Sequence, residues 1–144
     1  MAKKLLVERS ISIKAPAARV WEVLVNPVYI RLWDDLPPDY PADEWLHPKT
    51  TITWIMPGEK FTRLTVTIHQ EPRRLQLTLF DSTWSTPPLE NIAYTYNLSG
   101  QNGTTELFIS IGDFSSLPDG EKYYEASLEF VAKATEKIKE LAEQ

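Results

Sequence analysis

The stretch DGEKYYEASLEFVAKATEKIKELA at residues 119–142 reads as one long helix with a single apolar side. Tyr124, Leu128, Val131, Thr135, Ile138 and Ala142 follow at steps of four and three, with Ser127, Ala134 and Leu141 beside them and charges opposite. At 1.5 Å per residue such a helix runs about 36 Å, the width of a small domain. A rod of that length with one apolar stripe must lie across another apolar surface.

The residues before it supply that surface. Residues 104–112 put Leu107, Ile109 and Ile111 on one side, and residues 91–98 group Ile92, Tyr94 and Tyr96. Between them Asn102-Gly103 is a strong hairpin signal. Residues 74–81 alternate Leu75, Leu77 and Leu79 against Gln76 and Thr78; residues 61–70 align Leu64, Val66 and Ile68; residues 50–56 align Ile52, Trp54 and Met56. Pro57-Gly58-Glu59-Lys60 and Glu71-Pro72-Arg73 are turns, and such short connections imply an antiparallel meander. Upstream, residues 5–13 alternate as a first strand with Val7, Ile11 and Ile13 on one side. Pro16 opens a helix over 17–25 carrying Val20, Trp21, Val23 and Leu24. Asn26-Pro27 breaks it, and residues 28–33 form a second short helix before Leu36-Pro37-Pro38. The expected fold class is α+β: six to seven antiparallel strands in a curved sheet around a long C-terminal helix, with two short helices after the first strand. One domain over residues 1–144 fits the length.

Composition removes several function classes. There is no cysteine, which excludes thiol catalysis and thiolate metal sites. Fifteen basic against twenty acidic residues give a net charge of −5, an unfavourable balance for neutralising nucleic-acid phosphates. No segment approaches a membrane span or a signal-peptide core, so a reducing cytoplasm is the expected compartment. His47 and His69 stand alone, with no metal-ligand spacing. His69 shares the strand alternation of Arg63, Thr65 and Thr67 and is expected to face solvent. Neither a metal nor a cofactor is expected. No Gly-x-Ser-x-Gly or Gly-x-Gly-x-x-Gly is present, so serine-hydrolase and dinucleotide readings have no support.

The run from Val7 through Ile13, Ala15-Pro16, Val20-Trp21, Asn26-Pro27 and Trp33 resembles the opening of proteins in the Bet v 1/START-like (SRPBCC) superfamily. Within it, the likeness is to the branch of the Hsp90-ATPase-activator C-terminal domain and small polyketide-cyclase-like proteins. The element order resembles that superfamily over essentially the whole chain, and the sharp motif covers about the first quarter. The resemblance implies a helix-grip fold with a cavity between sheet and C-terminal helix. It also implies a small hydrophobic partner of lipid or polyketide type, in a monomer or weak homodimer. An Hsp90-type chaperone as partner is suggested only by the branch name.

The side chains expected to face that cavity come first from the sheet: Trp54, Leu64, Val66, Leu77, Leu79, Tyr94 and Tyr96. Trp33, Tyr124 and Leu128 are added from the helices, each being equally readable as plain core. The tyrosines are the informative members, because a buried phenol needs a hydrogen-bond partner that a guest or water can supply. Strict alternation also turns Arg9 and Asp81 inward, although strand ends often fray to a solvent-exposed rim. A cyclase or hydratase built in this cavity would use Asp81 as base and Tyr94 or Tyr96 as acid. The acidic residues over 34–44 read as a solvated cluster, as a cap on the cavity or as a contact for a basic partner.

Overall fold

Alternation decides which side chains share a side of the sheet, and strand pairing then stacks them into rows. In a computed structural model, described over residues 5–34, 45–81, 92–115, 117 and 119–144, six strands and three helices carry that pattern. The order is β1 (Val7–Ile13), α1 (Ala17–Val25), α2 (Pro27–Trp33), β2 (Thr51–Met56), β3 (Lys60–Gln70), β4 (Arg74–Asp81), β5 (Ile92–Gln101), β6 (Thr104–Gly112) and α3 (Gly120–Ala142). The side chains of Met56 and Asp81, and the acidic run beyond Asp34, lie outside the described residues. All strands pair antiparallel in the order β1-β6-β5-β4-β3-β2, so the meander closes with β1 returning to pair with β6 at one edge.

Reading the register across strands gives the inner face as successive rows. Ile52, Leu64, Leu79 and Ile92 form one; Val66, Leu77, Tyr94, Ile111 and Val7 the next; Leu75, Tyr96, Ile109 and Arg9 the third. Leu98, Leu107 and Ile11 follow, and the last row pairs Thr105 with Ile13. These rows lie at right angles to the strands, so each helix above the sheet covers some of them and leaves others.

α1 covers the last rows. Its buried residues are Val20, Trp21, Val23, Leu24 and Val25. Thr105 Oγ1 donates to the Ala15 carbonyl at 2.8 Å, tying the strand to the segment before the helix. A Cβ added at Gly100 would stand 3.1 Å from Ala17 Cβ, so glycine lets α1 sit close on the sheet. Asn26 ends α1 and caps α2, its side chain accepting from the Val28 N–H, while Pro27 occupies the first turn where its missing donor costs nothing. α3 starts beside β1 and β6: a Cβ on Gly120 would lie 2.1 Å from the Phe114 carbonyl oxygen. It ends at α1, where Arg19 donates to the Leu141 carbonyl at 3.1 Å and to the Tyr29 hydroxyl at 2.9 Å.

Two expectations change. The register slips between Val66 and Ile68, a bulge that places His69 opposite Leu75 on the inner face. His69 therefore packs edge-on against Trp21 at 5.1 Å, its Nε2 3.2 Å from the Leu46 carbonyl oxygen, instead of facing solvent. The buried stripe of α3 also runs through Ser127 and Ala134, and Leu128 is 42% exposed. Thr135, seven residues on along nearly the same helical line, accepts from Arg9 Nε of edge strand β1 at 3.1 Å. Leu128 thus lies on the β1 side of the helix, away from the side that meets α2.

Candidate functional site

The side of α3 that meets α2 forms a groove of about 720 Å³, within the range of small-molecule pockets. Its walls are Arg31, Leu32, Trp33 and Asp34 from the α2 end, and Ala126, Glu129, Phe130, Lys133 and Lys137 from α3. Trp33 is fixed by its indole N–H, which donates to the Val23 carbonyl at 2.7 Å. Its donor is thereby used, and it offers the groove an aromatic surface. Phe130 stands 6.4 Å from Trp33, and Tyr96 of the sheet meets Trp33 edge-on at 6.3 Å. The three rings form a continuous aromatic path from the groove down to the sheet.

At the end of that path the Tyr96 phenol is buried, at 4% exposure. Burial pushes its pKa well above the usual value, and the charges of Asp34 and Tyr94 push the same way. The hydroxyl is consequently a neutral group throughout the physiological range. Tyr94, one row over, is half-buried, as are Leu79, Leu64 and Trp54 beyond it. Val66 and Leu77 are buried in the row of Tyr94 and act as core. Tyr124 is half-buried on α3.

Of the residues expected at a cavity, Trp33 lines the groove and Tyr96 lies behind it, whereas Trp54, Leu64 and Leu79 form a separate half-buried strip with Tyr94, and Val66 and Leu77 are core. Leu128 stands apart from both, on the edge-strand side. Arg9, at the edge-strand end of its inner-face row, is exposed and donates to Thr135, linking β1 to α3. Asp81 pairs with Thr62 at the end of β4. The groove residues that strand alternation could not reveal are Phe130, Arg31, Lys133 and Lys137. Phe130 sits off the apolar stripe, and the only available signal was a large aromatic on an otherwise polar flank. A smaller recess of about 230 Å³ lies elsewhere, lined among others by Trp21, Trp45, His47, His69 and Glu71. Among the described residues no group of three His, Cys, Asp or Glu could hold a metal, and no helix is long and apolar enough to cross a membrane.

A curved six-stranded antiparallel sheet, two short helices after the first strand and a long C-terminal helix packed on the β1–β6 side make an α+β fold of helix-grip type. No family model and no curated protein sequence matches the chain. Solved structures do match. The chain is similar to the Aha1 dimer from Colwellia psychrerythraea, with a TM-score of 0.72, 14% identity and 96% of each chain covered. It is also similar to protein MLL2253 from Mesorhizobium loti, with a TM-score of 0.70 and 18% identity over 94% of this chain and 95% of that one. DynU16, from the dynemicin biosynthetic locus, matches with a TM-score of 0.60 and 15% identity over 93% of this chain and 47% of its own. At these identities the likeness is one of fold.

Proposed function

We propose that the protein binds a small hydrophobic molecule, reached through the groove between α2 and α3 and held against the inner face of the sheet. One observation carries this reading: a single apolar face is sealed at one end and left half-buried at the other. Ile13, Leu75, Leu107 and Ile109 are fully covered, whereas Ile52, Leu64, Leu79 and Tyr94 are half-buried, even though Ile92, Val66 and Leu77 in the same rows are buried. The aromatic path through Phe130, Trp33 and Tyr96 ends on the buried row of Tyr96, next to the row in which Tyr94 is half-buried. An apolar guest removing about 200 Å² from water would gain roughly 5 kcal/mol before the entropic cost of association.

The neutral probe N-phenyl-1-naphthylamine tests the reading by its rise in emission on leaving water. Saturable enhancement is expected, and Leu64→Trp, which fills the half-buried strip, should weaken the probe roughly tenfold, or ~1.4 kcal/mol. An unchanged probe spectrum at saturating protein would refute the reading. A cyclase or hydratase in the same place would need a base reaching the guest. The base expected from the sequence, Asp81, has its side chain outside the described residues.

A further inference from the structure

We infer that the preferred guest is a small amphiphilic carboxylate, its head held by the basic rim of the α2–α3 groove and its tail directed along Phe130 and Trp33. This rests on the binding reading above and names the class of molecule that the same site selects. The groove lining contains three cationic side chains, Arg31, Lys133 and Lys137, against two carboxylates, Asp34 and Glu129. In a chain of net charge −5, a locally positive rim around an apolar floor is a departure from the average field.

The arrangement along the groove is directional. On α3, Glu129, Lys133 and Lys137 follow at four-residue steps, about 6 Å apart and on one side of the helix. The wall therefore runs from acid to base toward the C-terminus, and an anion is favoured at the lysine end. Lys137 does approach Glu140 at 3.6 Å, but both side chains are substantially exposed, so that pair holds the lysine weakly. The opposite end carries Asp34, close enough to Tyr96 to disfavour a phenolate there. A second anion would be repelled from that end, which instead offers Trp33, Phe130 and the buried Tyr96 to an apolar tail. Leu32, 54% exposed, extends the apolar floor at the groove's mouth. A wholly neutral guest would use the aromatic path and leave the lysines idle, whereas an amphiphilic anion uses both.

Competition against bound N-phenyl-1-naphthylamine at near-neutral pH separates the two, with decanoate and decanol as competitors of equal tail and different head, each below its aggregation threshold. Decanoate is expected to displace the probe at about fivefold lower concentration than decanol, a margin of the size partly screened ion pairs provide. Added salt should narrow that margin. Lys133→Gln/Lys137→Gln should abolish it, each competitor being scored against probe affinity measured anew in the variant. Equal or better displacement by decanol, with the probe binding normally, overturns the anionic head and leaves the carrier reading standing. Failure of the probe to bind removes both. Sedimentation with phosphatidylglycerol vesicles that the double substitution abolishes, without any decanoate preference, would assign the cations to a membrane surface and likewise overturn the inference.

Discussion

The two ends of one inner sheet face behave differently although their sequences alternate in the same way. At the β1–β6 end, α1 and the C-terminal half of α3 lie on the rows of Ile13, Leu107 and Ile109, and these side chains are sealed from water. Toward β2 and β3, the apolar row of Ile52, Leu64 and Leu79 is only half-buried. The amino acids are equally apolar in both places, so composition does not separate them. What differs is the helix cover. α3 packs on β1 and β6, starting with Gly120 against Phe114 and ending at Arg19 of α1, and a twisted sheet turns its β2–β3 side away from a rod held there. One end of the face thus supplies stability, and the other leaves apolar side chains half-buried, the surface that the proposed guest would cover.

The largest effect that could break this contrast is a pair of truncations. Leu107→Ala in the sealed region should lower the free energy of unfolding by about 2–5 kcal/mol, as measured by urea denaturation. Leu79→Ala, in the uncovered row, should cost less than half as much while weakening an apolar probe more. Equal losses at the two positions would show that both ends are packed alike.

A middle-sized effect belongs to Tyr96. Its phenol is neutral in the folded chain because burial, then Asp34 and Tyr94, disfavour the phenolate, whereas in the unfolded chain it ionises near the ordinary value of 10.0. Below that value both states hold the proton and the residue leaves stability independent of pH. Above it the unfolded chain releases a proton that the folded chain retains, so stability falls with rising pH until the folded pKa is passed. Alkaline unfolding of Tyr96→Phe should therefore set in at higher pH than in the parent. An unchanged alkaline midpoint would place the phenol in contact with water.

The smallest expected effect lies outside the contrast, at the C-terminus. Lys139, and then the Lys14 backbone N–H, lower the pKa of the Glu143 carboxyl from 4.5. Its contribution is present above the ordinary carboxylate range and is lost as pH falls through the lowered value. Because Glu143 is exposed to solvent and salt, Glu143→Gln should shift the acid-unfolding midpoint only slightly, and less still at high ionic strength.

Much of this architecture was readable from local pattern. β4 and β6 begin and end where period-two alternation and turn residues place them, and Asn102-Gly103 makes the hairpin between β5 and β6. Local pattern failed where a long-range partner decides the outcome. One extra residue at Thr67 turns His69 to the inner face, and nothing in the composition of β3 announces a bulge. The apolar stripe of α3 was legible, but its rotation was not: Ser127 is buried and Leu128 exposed because β1 and Arg9 approach from one side and α2 from the other. For the same reason the groove was hidden. Phe130 and Trp33 lie about a hundred residues apart, and only the meeting of α2 with α3 makes them neighbours.

The division of the sheet into a sealed and a receptive end is tested most directly by methyl NMR of isoleucine- and leucine-labelled protein titrated with N-phenyl-1-naphthylamine. The account expects resonances of Ile52, Leu64 and Leu79 to move and saturate with the probe, while Ile13, Leu107 and Ile138 stay in place. Shifts of equal size in both sets, or none in the first at saturation, would contradict it.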